Sequence, residues 1–166
     1  VVEYQANVIA SVLAERLRGS YKMLHLPDGL SQDSLHMLMT CEPQIKEIGD
    51  LISRTDVLLF GIGTAMRMAD QRHIADDVRK QLVDNHAVGE ALGQYCDIEG
   101  KLIYSTNNIG LSLPDVVKVP NVIAVAGGQE KANAIIGVMR ACQKGILIID
   151  EQAAEGMRQL LQISAL

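Results

Sequence analysis

The sequence predicts an α/β fold of the doubly wound, Rossmann-like kind: a central, mostly parallel sheet, helices on both faces and a small hairpin at its edge. Three observations predict it. Apolar runs of strand length recur at 56–60, 122–126 and 146–149, the pattern of strands buried on both faces. Between and beyond them lie helical stripes, of which Ala132, Ile135, Ile136 and Met139 give the clearest i, i+3, i+4, i+7 face. Two of the strands also run directly into glycine turns, Gly61-Ile62-Gly63 and Gly127-Gly128. In such folds ligands bind at the carboxyl ends of the strands.

The elements follow in order. Val8, Ile9, Val12, Leu13 and Leu17 form a helical stripe that stops near Gly19, and Tyr21 to Leu26 reads as a strand closed by Pro27-Asp28-Gly29. A short helix is expected around Ser34 to Met39. Pro43 opens another with Ile45, Ile48, Leu51 and Ile52 on one face. A helix starts over Thr64 to Met68, Ile74 to Leu82 is helical, and Ala87 to Ala91 adds one more helical turn. Gln94 to Asp97, a turn at Ile98-Glu99-Gly100 and Lys101 to Tyr104 form a hairpin. Asp150 caps the last helix, whose core face is expected to be Ala154, Met157, Leu160 and Leu161.

Composition narrows the function classes. The chain has 166 residues, 48% hydrophobic and 21% charged, which fits one folded domain and excludes intrinsic disorder. A net charge of −5 and an aromatic content of 3% supply neither a basic surface nor stacking platforms for nucleic acid. No apolar run approaches the length of a membrane span. Cys41, Cys96 and Cys142 lack CxxC spacing and read as reduced, mostly buried thiols, so a cytoplasmic protein is expected.

Familiar catalytic motifs do not occur. There is no GxxxxGK[ST] loop and no GxSxG elbow, and His25, His36, His73 and His86 lack metal-ligand spacing. Gly61-Ile62-Gly63-Thr64-Ala65-Met66 begins like GxGxxG but lacks the third glycine, a weak dinucleotide signal. Lys131 is more informative. It falls in the first turn of a helix, next to backbone N–H groups and a positive dipole end, where a cation is misplaced unless an anion joins it. Lys131 is otherwise an ordinary solvated lysine beside Glu130, and Gly127 and Gly128 otherwise serve only tight strand-to-helix packing. Asp84 and Glu90, in a polar bend, suit helix caps, acceptors for sugar hydroxyls or catalytic carboxylates.

Several runs, in order along almost the whole chain, carry a resemblance. They are Glu3-Tyr4-Gln5-Ala6-Asn7, Leu30-Ser31-Gln32, Gly61-Ile62-Gly63 followed by Met68-Ala69-Asp70-Gln71-Arg72, and Ala87-Val88-Gly89-Glu90-Ala91. Ile123-Ala124-Val125-Ala126-Gly127-Gly128-x-x-Lys131-Ala132-x-Ala134-Ile135 and Asp150-Glu151-x-Ala153-Ala154 complete the set. With them the chain resembles the C-terminal effector-binding domain of SorC-type sugar-responsive bacterial transcription regulators, and within that family the members that control glycolytic genes.

The resemblance implies a fold like that of phosphosugar isomerases and CoA transferases without their catalysis, and no cofactor. It implies a phosphorylated sugar as effector, fructose-1,6-bisphosphate in a glycolytic member. By position it assigns sugar-phosphate contacts to Gln5, to Gln71 or Arg72, and to Glu90 and Lys131; Gly127 and Gly128 join them as the turn whose N–H groups would be exposed to the ligand. Residues 1–166 would then be an N-terminally incomplete effector-binding domain of a dimer or tetramer. Operator DNA would be read by a winged-helix part outside these residues. The competing expectation is a sugar-phosphate isomerase or deaminase on the same fold, with Glu90 or Asp84 as general base and Lys131 on the phosphate. A nucleotide-binding module ranks third.

Overall fold

The structure is a computed structural model that describes residues 6–26 and 30–162. It divides into two units, Val1–Ser53 and Arg54–Leu166.

The described residues of the first unit form three helices, α1 (Ala6–Leu17), α2 (Gln32–Cys41) and α3 (Pro43–Ser53). Ser31 caps α2 by accepting the Ser34 N–H at 3.1 Å, and Pro43 opens α3 at the position where its missing N–H costs nothing. Residues 21–26 carry no strand. Their β-rich composition finds no neighbouring strand among the described residues, and an unpaired strand cannot satisfy its backbone. The segment is tied instead by Asn7 Nδ2, which donates to Leu24 O at 3.2 Å, and by an ion pair of Lys22 with Glu47.

The second unit holds two sheets. Strands β1 (Val57–Gly61), β6 (Asn121–Ala126) and β7 (Ile146–Ile149) form a parallel sheet in the order β1-β6-β7, with Gly61 in register with Val125 and Ala126 with Ile149. Strands β2 (Gly63–Thr64), β3 (Gly89–Ala91), β4 (Gln94–Cys96) and β5 (Leu102–Ser105) form an antiparallel sheet in chain order. The predicted hairpin is β4–β5. The helical turn expected over Ala87–Ala91 is instead β3, because each of its residues pairs with β4 and the first two also pair with β2. Pairing partners on both sides override a weak local preference.

Helices α4 (Ala65–Gln71) and α5 (Asp76–Asp84) follow β2, and α6 (Ala132–Cys142) joins β6 to β7. Leu82 of α5 and Tyr95 of β4 are fully buried in a small core with Ala65 and Ala69 of α4. Helix α6 is the central pillar. Ala132, Ala134, Ile135, Ile136, Gly137, Val138 and Cys142 are all buried, so apolar side chains surround most of its circumference. Its small residues admit the antiparallel sheet closely: a Cβ on Gly89 would lie 2.8 Å from Ala134 O, and one on Gly137 would lie 2.4 Å from Asp97 O.

The last helix, α7 (Glu151–Leu160), is turned from its expected phase. Ala153 and Gly156 are buried, whereas Leu160 and Leu161 are exposed. The reason is the close approach of α7 to α6: a Cβ on Gly156 would stand 3.0 Å from Ala132 Cβ. Inner residues Phe60, Val122, Ala124 and Ala126 of the parallel sheet join α6 and α7 in the main core. Val57, Leu59, Val125, Ile146 and Ile148, on the alternate positions, are largely exposed.

Candidate functional site

The carboxyl ends of β1 and β6 lie side by side, and both lead to predicted site residues. At the end of β1 the chain crosses between sheets. Ile62 donates its N–H to Val125 O at 3.2 Å, still within the parallel sheet, and Gly63 already pairs with Glu90 in the antiparallel one. The Gly61-Ile62-Gly63 turn is therefore a sheet-to-sheet crossing. A Cβ on Gly63 would come within 2.4 Å of Met68 Cγ, so glycine lets α4 close over β2.

That crossing places Glu90 beneath α4. Gly63, Glu90, Tyr95 and Tyr104 are successive register partners across β2–β5, hence on one face of the sheet. Glu90 is only 3% exposed. Its Oε1 accepts from Gly93 N–H at 2.7 Å and from Arg72 Nη2 at 3.1 Å. Arg72 sits at the C-cap of α4, where the helix dipole also favours a cation. Burial pushes the Glu90 carboxyl above its ordinary value, opposed by the Arg72 charge and the Gly93 hydrogen bond.

Two buried polar atoms in this cluster, Arg72 Nε and the Tyr95 hydroxyl, have no hydrogen-bond partner among the described residues. Burial, followed by the Glu90 charge, pushes the Tyr95 phenol up to about 12. The hydroxyl is therefore a neutral donor at any physiological pH. Unsatisfied buried donors are costly and mark places where an oxygen acceptor belongs.

The end of β6 supplies the second half. Gly128 has φ 96°, a conformation that glycine alone adopts freely. Gln129–Lys131 form a single 3-10 turn, and Lys131 is the N-cap residue of α6 rather than a residue inside its first turn. The Gly128 N–H, expected to be open to a ligand, donates to both oxygens of the Asp150 carboxylate at 3.1 and 2.9 Å. Asp150 also caps α7 as expected, accepting from Ala153 N–H at 2.8 Å. These backbone hydrogen bonds, with a smaller contribution from the Lys131 charge, hold its carboxyl below the usual range. An anionic group thus already occupies the glycine turn beside Lys131.

Strand β2 links the halves, pairing with β3 and packing against the Gln129–Lys131 turn. The structure therefore brings Arg72 and Glu90 together and sets the Lys131 turn next to the adjoining strand. Gln71 is exposed at the end of α4, and Asp84 is exposed at the end of α5, apart from Glu90 in β3. Gln5 lies outside the described residues. Sequence reasoning missed Tyr95, Gly93 and the bond from Asp150 to Gly128, since each depends on strand pairing or on contacts between distant turns. Among the described residues no three His, Cys, Asp or Glu side chains form a group able to hold a metal ion. No helix among them is long and apolar enough to cross a membrane.

Comparison with known proteins supplies a family context. The Sugar-bind family, described as a sugar-binding domain, matches residues 1–159. The chain is 36% identical over 154 residues to the central glycolytic genes regulator of Bacillus subtilis, covering 93% of this chain and 45% of that protein. It is 38% identical to the protein of the same name from Priestia megaterium, with the same coverage. A crystal structure of a SorC family transcriptional regulator from Enterococcus faecalis superimposes with a TM-score of 0.85 at 39% identity, covering 95% of this chain and 64% of that one. The chain spans about half the length of the curated relatives it matches.

Proposed function

Because this chain belongs to the sugar-binding domain family shared by SorC-type transcription regulators, we propose that it is the effector-sensing part of a regulator of glycolytic genes. Its effector in this reading is a phosphorylated sugar, fructose-1,6-bisphosphate. One observation carries the site: the Arg72–Glu90 pair, buried at its Glu90 end, and the Lys131 turn flank the same short strand, β2.

The division of labour follows from the side-chain chemistry. Lys131 is a point charge suited to a phosphate oxygen. Glu90 keeps Oε2 as an acceptor for sugar hydroxyls, while Arg72 neutralises it and offers its unpaired Nε–H to an oxygen. A phosphate entering the glycine turn displaces the Asp150 carboxylate from Gly128 N–H or shares that amide with it. Gln5 and Gln71 are assigned sugar contacts by the family resemblance alone. In this reading the protein acts in the cytoplasm as a dimer or tetramer that reads operator DNA through a part outside residues 1–166. Effector binding favours one packing of the protomers, which sets the spacing of their DNA-reading parts and relieves repression.

The test is an operator-binding assay on the full-length protein, with fructose-1,6-bisphosphate, fructose-6-phosphate and inorganic phosphate as ligands. Release of the operator by the bisphosphate at concentrations where phosphate has no effect supports the proposal. Unchanged operator affinity with every phosphosugar refutes it. One observation favours a second reading, an isomerase or deaminase: burial raises the Glu90 carboxyl, as a general base requires. Turnover of a phosphosugar by the purified protein, abolished by Glu90→Gln, would decide for that reading.

A further inference from the structure

The turn between β3 and β4 has a backbone that its sequence does not favour. Leu92 has φ 55° and Gly93 has φ 77°, the two positive values of a tight hairpin between the register partners Ala91 and Gln94. Glycine adopts this conformation freely, whereas leucine does so against steric resistance from its Cβ. Something must hold the turn.

The segment after β5 does so. Thr106 donates its N–H to Gly93 O at 2.8 Å and its hydroxyl to the same oxygen at 3.0 Å. Asn108 Nδ2 donates to Leu92 O at 3.1 Å and lies 3.4 Å from Thr106 Oγ1. Both carbonyls of the turn are thereby occupied. A Cβ on Gly93 would lie 2.3 Å from Thr106 Oγ1 and 2.4 Å from Asn108 Nδ2, so the fit is tight.

The product of this clamp is the orientation of the Gly93 N–H, which donates to Glu90 Oε1 at 2.7 Å. With Arg72 on the same oxygen, Oε1 is fully engaged and the carboxylate plane is fixed. Among the described residues Oε2 has no hydrogen-bond partner; it lies 3.9 Å from where a Cβ on Gly63 would stand.

We infer that Thr106 and Asn108 are positioning residues for effector recognition: they lock the Leu92–Gly93 turn so that Glu90 presents Oε2 to the hydroxyls of a sugar phosphate. The inference rests on the reading of Glu90 as a hydroxyl acceptor and adds two residues whose hydrogen bonds go to the turn and not to Glu90 itself.

The experiment measures calorimetric affinities of the full-length protein for fructose-1,6-bisphosphate and for inorganic phosphate, in the wild type and in Asn108→Ala, Thr106→Val and Thr106→Ser. Asn108→Ala and Thr106→Val should weaken the sugar phosphate about tenfold, the effect of one misplaced charged hydrogen bond. Phosphate binding should stay unchanged and Thr106→Ser should behave as wild type. In a Glu90→Gln background, Asn108→Ala should add nothing. Equal losses for both ligands, or a full loss in the Glu90→Gln background, would overturn the positioning role. Amide exchange of Gly93 gives a readout free of ligand: Asn108→Ala should accelerate it, and unchanged exchange refutes the clamp. A wild type that binds no sugar phosphate sinks the site reading, whereas faster Gly93 exchange with unaltered ligand discrimination sinks only the positioning role.

Discussion

Arg72 Nη2 meets Glu90 Oε1 at 3.1 Å, joining the C-cap of α4 to the one carboxylate buried among the described residues. Glu90 is almost inaccessible, whereas the Arg72 side chain is 32% exposed. The pair is therefore asymmetric, and so are its mutations. Arg72→Ala leaves a buried charge without a counter-ion and should cost about 2–3 kcal/mol, below the full range for buried pairs because Arg72 keeps some solvent. Glu90→Gln removes the charge at the buried end and should cost about 1 kcal/mol or less. Urea unfolding of the two variants checks the order; a costlier Glu90→Gln would contradict it.

The same burial fixes a pH dependence. The folded Glu90 carboxyl titrates above its ordinary value of 4.5, so the folded state binds the proton more tightly than the unfolded state does. Its contribution is fully present below 4.5 and is lost as pH rises through the folded value. The stability of wild type relative to Glu90→Gln should accordingly fall as pH increases from 4.5. Parallel thermal melts across that window test the sign.

Gly137→Ala should reverse the usual preference of helices for alanine, which is worth about 1 kcal/mol. Its Cβ would stand 2.4 Å from the Asp97 carbonyl oxygen, a backbone atom that cannot swing aside. A net destabilisation of about 1–3 kcal/mol is expected from the overpacking. A melting temperature equal to or above wild type would show that the chain at Asp97 does not press on α6 as described.

Asp150 holds the Gly128 amide and carries a negative charge where the proposed phosphate must sit. Asp150→Asn keeps a capping oxygen for α7 while removing that repulsion. Phosphate-bearing ligands should bind it more tightly by a severalfold factor, read by calorimetry. Weaker binding would mean that the carboxylate helps to shape the anion site. Because the Asp150 carboxyl lies below its ordinary value of 3.8, the stability it provides is present above 3.8 and lost as pH falls through the folded value.

Much of the fold was legible because long-period signals dominate it. The parallel strands β6 and β7, the cap at Asp150 and the β4–β5 hairpin all follow from local pattern. Failures fall where partners decide. Gly89-Glu90-Ala91 is too short to declare itself a strand, and becomes one only between β2 and β4. Helix α7 turned its phase because glycine at 156 allows an approach to Ala132 that the periodicity of large residues cannot reveal.

The candidate site was legible residue by residue, but its internal wiring was not. Lys131 stood out through the helix dipole, and Glu90 and Arg72 through family position. No sequence rule connects residues 18 positions apart across a helix and a strand. Nor does one foretell that the carboxylate capping α7 also fills the glycine turn 22 residues before it.

In the proposed function the Gly127-Gly128 turn and Lys131 form the phosphate-binding side of a sugar-phosphate sensor. Titration calorimetry of fructose-1,6-bisphosphate into the full-length protein and its Lys131→Ala variant tests it most directly. The variant should keep the wild-type melting temperature and bind at least about tenfold more weakly, the loss of one charge-assisted phosphate contact. Equal affinity in the two proteins would contradict it.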